Sequence, residues 1–161
     1  MIKKIAYVLL AALVIIQFFR PARNISTAKS PNDISNKYAV PAAVQEILNT
    51  SCYDCHSNNT VYPWYANIQP VAWWLADHVN EGKKELNFSE FITYSPKKAH
   101  HKLEEVIEQT KEGEMPLKSY TIIHQNAKLS EAQKLEIATW ADGLRKEIAL
   151  ANNLPPEKNK E

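Results

Sequence analysis

Residues 50–59, TSCYDCHSNN, hold both cysteines of the chain, Cys52 and Cys55, and place His56 directly after the second. Three chemistries use a C-x-x-C-H pentapeptide. Two thiols can add to the vinyl groups of a haem as thioethers while the adjacent imidazole takes one axial position on the iron. Two thiols can also ligate zinc, but a tetrahedral site needs a second pair of ligands. The chain has no further cysteine, and no histidine lies at finger spacing from these two. A redox dithiol would want a strand before the motif and a helix starting at it, whereas the residues before Cys52 read as a helix. A plain disulfide would close so small a loop that the unfolded chain would hardly be constrained. The first use consumes both thiols and the imidazole, so one covalently attached haem c per chain is the expectation.

Iron has a second axial face. Of the two methionines one is Met1, and the other, Met115, lies in GEMPL at 113–117. Met115 is the expected distal ligand, with His56 and Met115 together on the metal. A thioether is soft, Met/His ligation raises the reduction potential relative to two imidazoles, and Pro116 stiffens the loop. His78, on the apolar stripe of a helix, is the runner-up; its competing reading is a core imidazole bonded to a carbonyl. His100 and His101 stand among Lys97, Lys98 and Lys102 and read as solvated, and His124 reads as a loop anchor. Tyr53, Tyr62, Trp64, Tyr65, Trp73 and Trp74 form a dense aromatic segment expected to wall the haem. The carbonyl of Pro63 or Pro70 is a candidate partner for the Nδ1 atom of His56.

These residues must be positioned by helices. AAVQEILN after Pro41 puts Val44, Ile47 and Leu48 on one face and delivers the chain to Cys52. VAWWLADHVNEG after Pro70 carries a stripe of Val71, Trp74, Leu75, His78 and Val79, with Gly82 suited to its end. Ser95 and Pro96 open a helix reaching Gly113. Ser130 with Gln133 three residues on opens the last one, which Gly143 is expected to shorten. Strand-like alternation is confined to TIIH at 121–124, so the fold class is all-α.

Lys3 and Lys4 precede the apolar run IAYVLLAALVIIQFF, 5–19, which closes at Arg20 and Pro21. As a helix this run rises about 22 Å, short of a hydrocarbon core of roughly 30 Å unless the flanking cations snorkel. No small-x-small site follows it directly, which favours an uncleaved anchor over a cleaved signal. Residues 1–20 therefore read as a signal anchor or transmembrane helix, 21–37 as a flexible tether, 38–150 as the haem-binding domain and 151–161 as a polar tail. Lys3 and Lys4 on one side against Arg20, Arg23 and Lys29 on the other do not choose an orientation. Haem c is attached on the outer side of the bacterial cytoplasmic membrane, which sets the domain on the periplasmic side. A net charge of +1 leaves no electrostatic footprint for nucleic acid, and three glycines give no phosphate cradle.

The segment SCYDCHSNNTVYPWYANIQPVAWWLADHVNEGKKELNFSEF, with GEMPLKSY and LSEAQKLEIATWADGL later, resembles the bacterial haem-binding domain family of membrane-anchored, single-haem c-type proteins. The order of parts also resembles class I cytochrome c, from which the long stretch between Trp73 and Gly113 departs. The resemblance implies a cytochrome c-like small helical domain around one covalent haem, with Cys52 and Cys55 as attachment points, His56 proximal and Met115 distal. One short chain with one motif and a good sixth ligand suits one-electron transfer to membrane or periplasmic redox partners better than catalysis. The alternative is a peroxidase-like haem enzyme or a haem-based sensor with a displaceable distal ligand.

Overall fold

The computed structural model describes residues 1–155, and among these all regular structure is helical. In chain order come α1 (Ile2–Ile16), α2 (Ala42–Ser51), the single-turn α3 (Tyr53–His56), α4 (Val71–Glu85), α5 (Pro96–Glu112), the short α6 (Lys118–Thr121) and α7 (Glu131–Ala151). The TIIH stretch forms no strand: it begins in α6 and continues as a turn with Ile122 and Ile123 exposed.

The long pair α5 and α7 forms the frame, and its ends are set by local chemistry. The Ser95 hydroxyl accepts from the backbone N–H of Lys98 at 3.3 Å, Pro96 follows it, and Gly113 closes α5 at φ 78°, where a side chain would be strained. Ser130 and Gln133 make a reciprocal capping box at the start of α7. Gly143 does not shorten α7, which runs on to Ala151. Ala141, Leu144 and Ile148 are buried in one core with Ala99 and Leu103 of α5. Burying a single Leu or Ile contributes about 1.5–3 kcal/mol, more than the ~1 kcal/mol a helical glycine costs. Val44 and Leu48 of α2, with Leu86, Phe88 and Phe91 after α4, complete that core.

α1 stands outside it, with no residue buried. No helix among the described residues is long and apolar enough to cross a membrane. At 15 residues α1 rises about 22 Å, so the expected span is not reached by this helix itself.

The segment 21–37, expected as a flexible tether, instead folds onto the domain. Ile34 is fully buried in the main core beside Phe91 and Ile148. The Ile92 N–H donates to the Asn32 carbonyl at 3.1 Å, and the Thr60 N–H donates to that of Asn24 at 2.9 Å. The Asn24 amide donates to the Ser57 carbonyl at 2.9 Å, and the Tyr62 hydroxyl accepts from the Asn24 N–H at 2.9 Å. Further back, Gln17 Oε1 accepts from the Gln69 N–H at 2.9 Å, and the Gln69 amide donates to the Phe19 carbonyl at 2.7 Å. Asn24, Ser30 and Asn32 bond to the domain while Ser26, Lys29, Asp33, Ser35 and Asn36 bond within the segment, so the folded unit starts well before Tyr38. At the other end Leu154 still packs on the core; residues 156–161 of the expected polar tail lie outside the described residues.

Candidate functional site

The C-x-x-C-H turn is built where α2 stops. Cys52 leaves helical geometry at φ −127°, and its carbonyl then accepts from the His56 N–H at 2.9 Å to close the single turn of α3. The Ser57 hydroxyl donates to the Tyr53 carbonyl at 2.7 Å and finishes the turn. α4 crosses directly over it. A Cβ on Gly82 would stand 2.8 Å from the Cys55 carbonyl oxygen and 2.9 Å from the Cys55 Cβ, so only glycine lets the two segments approach so closely. Gly82 therefore does not end α4, as expected from sequence; the helix passes through it to Glu85.

That extension supplies the partner of the candidate proximal ligand. His56 Nδ1–H donates to the carbonyl oxygen of Leu86, at the end of α4, at 2.9 Å. Neither Pro63 nor Pro70 takes this role. A carbonyl can only accept, which fixes the proton on Nδ1 and leaves the Nε2 lone pair available. Burial holds His56 below the ordinary histidine range, against the opposing pull of the Leu86 and Gly82 carbonyls, which favours the neutral ring.

Cys52 and Cys55 are free and half-buried. Burial pushes the Cys52 thiol up to about 12, with Cys55 adding to it, and the Cys55 thiol up to about 11, with the Asp54 carboxylate adding. Redox dithiols work through a thiolate of lowered proton affinity, the opposite of what this setting produces. Among the described residues no group of three or more His, Cys, Asp or Glu side chains converges to hold a metal ion.

Met115 follows Gly113, the left-handed cap of α5, and the N–H groups of Glu114 and Met115 both donate to the Gln109 carbonyl at 3.0 Å. The loop brings Met115 to the C-x-x-C-H turn. One cavity of about 280 Å³ is lined by Cys52, Cys55, His56, His78, Met115 and Tyr120. A neighbouring cavity of about 400 Å³ shares Cys52, His56 and Met115 and is walled by Leu86, Phe88 and Ile137. Two thiols, an imidazole with a free Nε2 and a thioether thus face adjoining apolar space of the size small-molecule sites have. This donor set fits a haem: sulfur for its periphery, nitrogen and thioether for its iron.

The remaining expectations divide. His78 shares the smaller cavity, with Nδ1 bonded to its own helix at the Trp74 carbonyl, 2.9 Å away. His124 is an anchor, stacked on Tyr120 at 4.2 Å and 3.4 Å from the Tyr65 hydroxyl. His101 is exposed and paired with Glu104 and Glu105. The aromatic segment does not wall these two cavities directly. Trp64 is 76% exposed, and Tyr62, Tyr65 and Trp74 line a narrow pocket that adjoins the smaller cavity through Cys55, His78 and Tyr120.

Asp54 and Tyr120 carry a part that sequence reasoning missed. The Tyr120 hydroxyl donates to Asp54 Oδ2 at 2.7 Å across 66 residues. Burial and the Asp54 carboxylate push the Tyr120 phenol well up, so it stays a donor. No local pattern marks this pair.

Neither a curated protein nor a solved structure matches the chain. The family model for a haem-binding domain matches residues 11–143, taking in the end of α1 and the segment after it that folds onto the domain as well as the C-x-x-C-H turn and Met115. The chain belongs to the haem-binding domain family.

Proposed function

We propose that the protein carries one haem c, bound through thioethers to Cys52 and Cys55, with His56 proximal and Met115 distal, and that it transfers single electrons. The observation that carries this reading is the convergence of both thiols, the free Nε2 of His56 and Met115 on the same pair of cavities. Bound there, the iron would exchange one electron between its ferric and ferrous states. The chain's own residues do the rest. Leu86 orients the imidazole, Gly82 lets α4 lie against the turn, and Leu86, Phe88 and Ile137 supply an apolar part of the wall.

α1 supports attachment to the bacterial cytoplasmic membrane, and the proposed haem c, attached on the outer side, would set the domain on the periplasmic side with redox proteins there as partners. It is apolar from Ile5 to Ile16 and flanked by Lys3, Lys4 and Arg20. Exposed Phe18 and Phe19 would have to extend its apolar length, since the helix alone is short. A second reading, a haem enzyme or sensor with a displaceable distal ligand, draws on His78, which shares the cavity with Met115.

The test is haem staining after denaturing electrophoresis, with a reduced-minus-oxidised visible spectrum, on protein matured with the haem c machinery. Haem that survives denaturation and gives a low-spin spectrum supports the carrier. Haem lost on denaturation removes the thioether assignment.

A further inference from the structure

The loop that carries Met115 is pinned at two places. Upstream, the Gln109 carbonyl holds the N–H groups of Glu114 and Met115 at 3.0 Å each. Downstream, the chain enters α6, where the Tyr120 hydroxyl meets Asp54 Oδ2 at 2.7 Å. Asp54 lies inside the C-x-x-C-H motif, two residues before His56. Its carboxylate is already oriented when Tyr120 reaches it. Oδ1 accepts from the Val61 N–H at 2.9 Å, and the Asp54 carbonyl accepts from the Thr60 hydroxyl at 2.6 Å. Tyr120 is held from behind as well, by the stacked His124 ring.

The geometry points to Tyr120 as a positioning residue: through Asp54 it latches the segment bearing Met115 onto the turn bearing His56, and so sets how readily Met115 yields its place to another ligand. This rests on the assignment of Met115 as distal ligand and is separable from it. A hydrogen bond from a phenol to a carboxylate is among the stronger kinds, enough to favour the closed arrangement by about tenfold or more. An incoming ligand that needs the loop open binds more weakly by the fraction of time the loop is open. The two ends of the latch belong to the two halves of the site, so its strength is felt at the coordination position although neither residue is a proposed ligand.

The experiment is a carbon monoxide titration of the reduced, full-length holoprotein for wild type, Tyr120→Phe and Met115→Ala. Tyr120→Phe keeps the ring and its stacking and loses the hydroxyl. The expected result is carbon monoxide affinity about tenfold or more above wild type for Tyr120→Phe, approaching that of Met115→Ala, with haem staining unchanged. Wild-type affinity in Tyr120→Phe beside open binding in Met115→Ala overturns the latch and leaves Met115 as ligand. Wild-type behaviour in Met115→Ala overturns the ligand assignment, and the latch with it. If Tyr120→Phe does not mature, Asp54→Ala removes the acceptor oxygens of the latch altogether. Raised carbon monoxide affinity in that variant supports the latch, and wild-type affinity overturns it.

Discussion

The two ring nitrogens of His56 have separate duties. Nδ1 is committed to Leu86, and burial favours the uncharged ring, so Nε2 is presented as a lone pair rather than as a donor. His56→Ala is expected to leave haem attached through Cys52 and Cys55 while changing the visible spectrum to that of an iron missing a strong-field ligand. An unchanged spectrum would remove His56 from the metal. The identity of this residue was legible from its place after Cys55. Its orienting partner was not, because Leu86 lies 30 residues away and is recruited by the path of α4 rather than by any local pattern.

At the scale of elements, what the sequence disclosed is what local bonds decide. Ser95, Gly113, Ser130 and Gln133 satisfy backbone groups within a turn of themselves, so the ends of α5 and the start of α7 could be read directly. Gly82 has the same composition cue as Gly113 and the opposite role, since its reason is a neighbour, Cys55, brought in by tertiary packing. Gly82→Ala would force α4 away from the turn by overlap with backbone atoms, at a cost of about 1–3 kcal/mol. Chemical denaturation should show that loss, with a lower yield of haem-loaded protein; wild-type stability and yield would mean the crossing is looser than it stands. Glu90 joins three segments, accepting from Ser30 and Asn32 at 2.9 Å each and from Asn58 at 2.7 Å. The Asn32, Ser30 and Asn58 donors hold its carboxyl below the ordinary 4.5. Its folded-state proton affinity is thus lower than in the unfolded chain, so its contribution is complete above about pH 4.5 and is lost as pH falls through the lower folded value. Thermal melts of wild type and Glu90→Gln between neutral and acid pH should converge on acidification. A constant gap would assign the acid sensitivity elsewhere.

For the whole molecule, the N-terminal segment belongs to the fold. Ile34 among polar neighbours gave no periodic signal, so its burial beside Phe91 and Ile148 could not be read from the sequence. Ile34→Ala should destabilise by about 2–5 kcal/mol, measured by chemical denaturation. Removing residues 1–37 should lower the melting temperature clearly, whereas loss of a true tether would leave it in place. The same long-range closure reaches further: Trp140 Nε1–H donates to the Ala39 carbonyl at 3.1 Å across 101 residues, and Ile34 shares its core with Ala141 and Ile148 of the last helix. This core cannot shut before α7 has been synthesised. Until then the pentapeptide Cys52–His56 is an accessible stretch of nascent chain, its thiols not yet raised to about 12 and 11 by burial. Under the proposed thioether attachment, the two thiols are easiest to reach in the interval between emergence of the motif and arrival of the C-terminal helix. For a domain that folds on the periplasmic side, as proposed, that interval runs from the emergence of the motif across the membrane to the docking of α7.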